Sequence, residues 1–257
     1  MQNTSQLYQK ILSGPHQMET SLVIGDTGNL TDEKGNRILF GGTSILVATG
    51  GPNTGFTKSR LISVSTTAKA FTDKNPVGNC IAQQIKVSML KPFGYIPRMA
   101  RMQLYVRLVN EAEASEWIPR GVFFIDTRST DKQKEFEILN IQGYDAMLKA
   151  EADFPPSSLS WPAKDIDVVR EIARYMDVNI DARTFEIMTA AYKIQNPIEY
   201  SCREVLSFIA GSYGANWIIT DAGELRLLAW NSQPPETSYL TDQAGNRITF
   251  GGVRIIV

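Results

Sequence analysis

Histidine is nearly missing from this chain: His16 is the only one among 257 residues, and it follows Gly14-Pro15 in a stretch that reads as a loop. Histidine triads, histidine metal sites and imidazole proton shuttles are therefore all but excluded. Cysteine is scarce as well. Cys80 and Cys202 stand far apart in unlike contexts, which fits neither a disulfide framework nor paired zinc ligands, so both are expected as reduced thiols. An excess of one charge is also lacking, because 26 Lys and Arg face 27 Asp and Glu for a formal net charge of −1. No long-range field draws such a chain toward DNA or an anionic membrane. No apolar run reaches the roughly 18–20 residues that span a bilayer, and the opening residues lack the basic flank and apolar stretch of a signal peptide. A soluble chain made in the cytoplasm, with no stable membrane association, is the expectation.

What is present is enough to fold. Hydrophobic residues make up 43% and charged residues 21%, a globular balance, and the length suits one large core or two modest ones, of which we expect two. From Arg60 to Tyr144 the chain reads as strands separated by turn chemistry. Ile85, Val87 and Met89 alternate with polar residues, as do Met102, Leu104, Val106 and Leu108, so each segment buries one face of a strand. Residues 121–126 and 134–141 form the next pair, joined by a polar link from Thr127 to Gln133. Residues 144–150 are rich in helix formers, and Pro155-Pro156-Ser157-Ser158 is the best linker candidate.

The second half changes character. Asp165 or a neighbour caps a helix whose Val168, Val169, Ile172, Ala173 and Met176 share one face. Ser201-Cys202-Arg203-Glu204 is a capping box opening a second helix, with Val205, Phe208 and Ile209 as its expected buried face and Gly214 as its left-handed end. Residues 215–220 and 225–230 then flank Asp221-Ala222-Gly223-Glu224 as a hairpin.

One internal repeat stands out: residues 30–42, Leu-Thr-Asp-Glu-Lys-Gly-Asn-Arg-Ile-Leu-Phe-Gly-Gly, recur at 240–252 as Leu-Thr-Asp-Gln-Ala-Gly-Asn-Arg-Ile-Thr-Phe-Gly-Gly. Each copy reads as a strand, a Gly-Asn turn, a second strand and a Gly-Gly break. The copies are either equivalent docking elements in an assembly or a duplicated hairpin of local folding value. For the first reading the candidate interface residues are Asn36, Arg37, Gly41, Gly42, Asn246, Arg247, Gly251 and Gly252.

Candidate chemistry is thin. Residues 50–59 brush against a phosphate-binding loop, but Phe56 and Thr57 separate the last glycine from Lys58-Ser59, so a flexible surface loop is expected. Ser129-x-x-Lys132 lacks a helix and companion motifs and is read as turn chemistry. Asp165 and Asp167 suit the positive end of a helix better than magnesium. Glu111, Glu113 and Glu116 precede Trp117 as an acidic cluster, expected as a solvated loop rather than a glycosidase pair. Trp117, Trp161, Trp217 and Trp230 are dispersed, which favours packing over base stacking. No catalytic, metal or cofactor-binding residue is assigned.

Several stretches, in this order, resemble a known family. Val77-Gly78-Asn79-Cys80-Ile81-Ala82, then residues 117–126 (Trp-Ile-Pro-Arg-Gly-Val-Phe-Phe-Ile-Asp), then Ile141-Gln142-Gly143-Tyr144-Asp145 and the residues to Lys149 resemble the N-terminal part of tail-tip and baseplate-hub proteins from phages and prophages of Gram-positive bacteria. Residues 200–210 and 214–226 look like the small α/β domain of the same hubs. The resemblance implies a non-enzymatic subunit of the virion tail, assembled in the host cytoplasm as a homo-oligomer, a trimeric ring. Its implied partners are a distal-tail or tail-tube protein, the tape-measure protein, and a spike, fibre or receptor-binding protein, with DNA only as cargo in the channel and no cofactor. A tail-associated cell-wall hydrolase, peptidase or glycosidase, and a carbohydrate-binding adhesin are the alternatives. Such hubs usually carry a second barrel, whereas this sequence stops at Val257 on an apparent strand. Either it is a fragment, or that barrel is absent or very small.

The expected fold is α+β and predominantly β: a tube-like antiparallel β-barrel or sandwich followed by a small α/β domain of two helices and a hairpin. The expected division is an N-terminal segment at 1–25, the tube-like domain at 26–153, the α/β domain at 154–232, and a C-terminal repeat hairpin at 233–257 that is a candidate start of a second barrel.

Overall fold

A computed structural model describes residues 4–25, 39–40, 43–44, 51–69, 76–92, 96, 98–132, 136–229, 249–250 and 253–254. In chain order the elements are α1 (Gln6–Leu12), β1 (Gln17–Ile24), β2 (Leu39–Phe40), β3 (Thr43–Ser44), β4 (Leu61–Thr67), β5 (Gln84–Leu90), β6 (Arg101–Val109), β7 (Ile118–Lys132), β8 (Glu137–Tyr144), β9 (Ala163–Lys164), α2 (Asp165–Met176), α3 (Arg183–Ile187), β10 (Lys193–Ile194), α4 (Cys202–Ser212), β11 (Ala215–Ile219), β12 (Leu225–Ala229), β13 (Thr249–Phe250) and β14 (Val253–Arg254). Short 3-10 helices lie at Pro52–Thr54 and Ala146–Glu151. The protein is α+β and predominantly β.

The alternation of β5, β6 and β8 builds one antiparallel sheet in the order β1-β6-β7-β8-β5-β4. Strand β7 decides its shape. Its first half pairs with β6, from Val106↔Ile118 to Arg101↔Phe124, and its second half pairs with β8, from Phe124↔Tyr144 to Lys132↔Glu137. Register shifts fall between Leu104 and Tyr105 on β6 and between Ile125 and Thr127 on β7. Bulges bend a strand and increase its twist, so β7 passes from one side of the sheet to the other and curls it into a half-barrel. Gly121 sits at the first bulge with φ +136, where a Cβ would lie 2.6 Å from the Phe123 ring. The enclosed core holds Leu22, Ile85, Val87, Met89, Met102, Phe123, Ile125 and Ile141.

Two boundaries differ from the sequence reading. Strand β1 pairs with β6 along its whole length, from Gln17↔Val109 to Ile24↔Met102, so the sheet reaches into the segment set apart at 1–25. The polar stretch Thr127 to Lys132 is strand rather than a link. Both of its faces are wet, and without a buried face there is no alternation to read.

The second core is built by α2, α4, the β11–β12 hairpin and the 3-10 helix after β8 around Trp217, which has no exposed surface. The five expected core positions of α2 are all buried. Helix α4 has its capping box, Ser201 accepting from the Glu204 backbone N–H and Glu204 from that of Ser201, and Gly214 takes φ +60 after its end. Phe208 departs from expectation: it is 59% exposed, while Cys202, Val205, Leu206, Ile209 and Ala210 are buried. The stretch between β4 and β5 also belongs here. Gly78 N–H donates to Ala215 O at 2.8 Å, Trp217 N–H donates to Asn79 O at 2.8 Å, and the buried Asn216 side chain accepts from Asn79 N–H and donates to Pro76 O, each at 2.8 Å. The two cores are thereby stitched by backbone contacts, not joined only in series.

Candidate functional site

The eight candidate interface residues, Asn36, Arg37, Gly41, Gly42, Asn246, Arg247, Gly251 and Gly252, lie outside the described residues. The strands beside them are described. Phe40 pairs with Thr43 and Leu39 with Ser44, while Phe250 pairs with Val253 and Thr249 with Arg254. The described strand residues of the two copies thus pair in one register. Each pair forms its own two-stranded sheet, and a two-stranded hairpin alone in water is marginal at best.

The curled sheet does not close. Strands β1 and β4 are its outer strands, and they face each other across a cleft of about 440 Å³ lined by Met18, Glu19, Leu61, Ile62, Arg107 and Trp117 among others. The segment expected as a flexible loop spans one end of this cleft: Phe56 and Leu22 exchange backbone hydrogen bonds at 2.8 and 2.9 Å, and Asn53 accepts from Trp117 Nε1 at 2.8 Å. Gly55 is pressed so closely on Ser21 that a Cβ would lie 2.3 Å from its Oγ. Beyond this bridge the outer side of β4 has no strand partner among the described residues. Leu61 to Thr67 carries no charge and no proline, and Ile62 is 56% exposed. Sheet edges of lone proteins are normally blunted by charges, prolines or bulges; the second half of β7 has Arg128, Asp131 and Lys132, whereas β4 has only a register irregularity between Leu61 and Ser63, at its start.

The other candidates resolve into structure. Glu116 accepts from Ser5 N–H and Oγ at 2.7 and 2.5 Å, and Glu113 pairs with Lys10 at 2.9 Å, so these acids fasten α1 to the β6–β7 turn. The two Ser5 donors hold the Glu116 carboxyl below its usual range. Ser129 and Lys132 stand exposed on β7. Asp165 is buried and accepts from Tyr213 OH and Ile166 N–H, whereas Asp167 pairs with Arg170 at 2.9 Å. They do not converge, and among the described residues no three His, Cys, Asp or Glu side chains gather as metal ligands. The cysteines are free and do not meet: Ser207 Oγ lies 3.4 Å from Cys80 Sγ, and Cys202 Sγ lies 3.9 Å from Asp153 O. Burial pushes the Cys80 thiol up to about 12 and the Cys202 thiol to about 11, which leaves almost no thiolate at neutral pH.

Asp145, which sequence reasoning passed over, sits at the joint between the two cores. Its Oδ2 accepts from Gln83 N–H and its Oδ1 from Met147 N–H, each at 2.9 Å, tying the start of β5 to the 3-10 helix. Burial pushes its carboxyl from 3.8 up to about 7, outweighing the two backbone donors. A folded-state pKa above the unfolded one means that folding takes up a proton. The associated stability is complete below about 4 and is lost as pH rises through about 7. The melting temperature should therefore rise as pH is lowered from about 8 to about 5, a window above the range in which exposed carboxylates titrate. Asp145→Asn should flatten that rise; an unchanged slope in the variant would assign the effect to another group.

The architecture is a curled antiparallel half-barrel followed by a compact α/β unit. No family model matches the chain, and no curated protein does. Among solved structures it is similar to the 43 kDa tail protein of prophage MuSo2 from Shewanella oneidensis, at 11% identity and a TM-score of 0.48, over 87% of this chain and 56% of that one. It is similar also to the tail protein from Neisseria meningitidis MC58, at 13% identity and a TM-score of 0.45 over 84% and 52% of the two chains. A third is prophage tail protein gp18 from Listeria monocytogenes EGD-e, at 9% identity and a TM-score of 0.39 over 91% and 70%. The chain spans about half the length of the first two.

Proposed function

We propose that this chain is a structural subunit of a phage tail tip, a hub-like ring that joins the tail tube to the spike, fibre or host-recognition apparatus. The observation that carries the reading is the β4 edge, uncharged and unpaired among the described residues. Such an edge is a template for another strand, and a chain whose copies close on a rotation axis gives it one. A trimer suits the resemblance of the ordered segments to hub proteins. Above and below it would sit a distal-tail or tube protein and a spike or fibre, with the tape-measure protein and DNA passing through the bore. The acids that a cell-wall hydrolase would need do not favour that alternative, since Glu113 and Glu116 are engaged by Lys10 and Ser5.

The repeated hairpin is a second docking element in this reading, through Asn36, Arg37, Gly41 and Gly42 in one copy and Asn246, Arg247, Gly251 and Gly252 in the other. Ile62→Lys places a charge on the exposed side of β4. The variant is expected to fold with an unchanged melting temperature and to lose oligomers in sedimentation velocity, and removal of residues 240–257 should do the same. Oligomers that persist in Ile62→Lys would show that β4 is not an assembly edge.

A further inference from the structure

Away from the sheet edges, the α/β unit carries a groove of about 440 Å³ between α4 and the segment that follows β10, within the ~300–1,000 Å³ of small-molecule sites. Its walls hold three aromatic rings, each near half exposed: Tyr192 at 46%, Tyr200 at 44% and Phe208 at 59%. Phe208, which spacing alone would assign to the buried face of α4, lines this groove instead. Its ring stands at 89° to that of Tyr200, with centroids 5.4 Å apart, and Tyr192 meets Tyr213 at 61° and 5.1 Å. The rings therefore brace one another at fixed angles and lose little freedom when something settles on them.

Beside the rings lie Gln195 and Asn196. Neither side-chain amide is hydrogen-bonded within the described chain, so each offers both a donor and an acceptor. Charge is nearly absent. Asp165 lines the groove but is held by Tyr213 OH and Ile166 N–H, which leaves Lys193 as the one lining cation among the described residues. A phosphate or nucleic-acid ligand calls for clustered cations, and a purely apolar partner would leave the amides unpaired at a cost. An uncharged ligand with C–H faces for the rings and hydroxyls for the amides satisfies both halves of the groove.

We propose that this groove binds a neutral saccharide, stacking its sugar rings on Phe208 and Tyr200 and hydrogen-bonding them through Gln195 and Asn196. The site does not depend on the hub reading: a chain that forms rings and ignores sugars would sink only the present inference. The test uses the full chain and neutral trisaccharides of glucose, galactose and N-acetylglucosamine at millimolar concentration, with side-chain amide signals read by NMR. At least one sugar should shift the Gln195 and Asn196 signals, with an affinity that does not change with salt. Phe208→Ala and Tyr200→Ala should each weaken binding about tenfold, the scale on which loss of an aromatic anchor acts, with the melting temperature preserved because Phe208 is exposed. Silence toward all three sugars, or equal binding by Phe208→Ala, overturns the proposal. A loss of oligomers in Phe208→Ala without any sugar response would also overturn it, by assigning the patch to a protein interface.

Discussion

Trp217→Ala should destabilise the second core more than any other single change considered for this chain. Truncating a fully buried tryptophan costs about 3–5 kcal/mol, a large share of the ~5–15 kcal/mol that holds a domain together. Trp217 is placed to do more than fill space: its Nε1 donates to Leu206 O at 2.8 Å across to α4, and its backbone N–H donates to Asn79 O at 2.8 Å in the segment that stitches the cores. Removing the indole leaves a cavity and takes away the donor that ties β11 to Leu206 O of α4. Urea unfolding should show a second-core transition at much lower denaturant, with the half-barrel transition less affected. Trp217→Phe, which keeps most of the apolar volume but not the donor, should fall between. A wild-type unfolding curve for Trp217→Ala would mean that the core is not organised around this ring.

Gly143→Ala should come next in severity. A Cβ there would stand 2.6 Å from Phe124 O, 2.7 Å from Met102 Cε and 3.3 Å from Ile85 Cγ2. The carbonyl cannot retreat, because β7 and β8 are paired on both sides of it, Phe124 with Tyr144 and Ile125 with Gly143. Overpacking of this kind costs about 1–3 kcal/mol and sometimes more. Gly211→Ala is the control: it lies in α4, where a Cβ would meet nothing within 4 Å, and Ala in place of Gly in a helix should stabilise by roughly 0.5–1 kcal/mol. Thermal melts of the two variants should move in opposite directions. Equal shifts would show that the sheet at Gly143 is loose enough to absorb a methyl group.

Local chemistry is the legible part of this fold. The capping box at Ser201, the helical stripe from Val168 to Met176, and the alternation around Val87 and Leu104 each announce themselves within a dozen residues, because caps, helix period and strand period are local rules. The half-barrel itself depends on partners far apart in sequence. Gln17 pairs with Val109, and Asn79 meets Asn216; no periodicity in either segment names the other. Thr127 to Lys132 reads as a link because a strand wetted on both faces has no apolar alternation. Phe208 reads as buried because spacing tells which residues share a face of α4 but not whether a neighbouring element covers that face. The same limit hides the candidate surfaces: that β4 ends a sheet, and that Tyr192, Tyr200 and Phe208 ring one groove, are consequences of topology.

The most direct test of the account is the mass of the intact chain in solution. Mass photometry across the micromolar range should find a discrete closed species, a trimer, that dissociates in Ile62→Lys. A single-chain mass at every concentration, together with one isolated copy in the assembled tail, would contradict the idea that this protein works by closing its open sheet on neighbours.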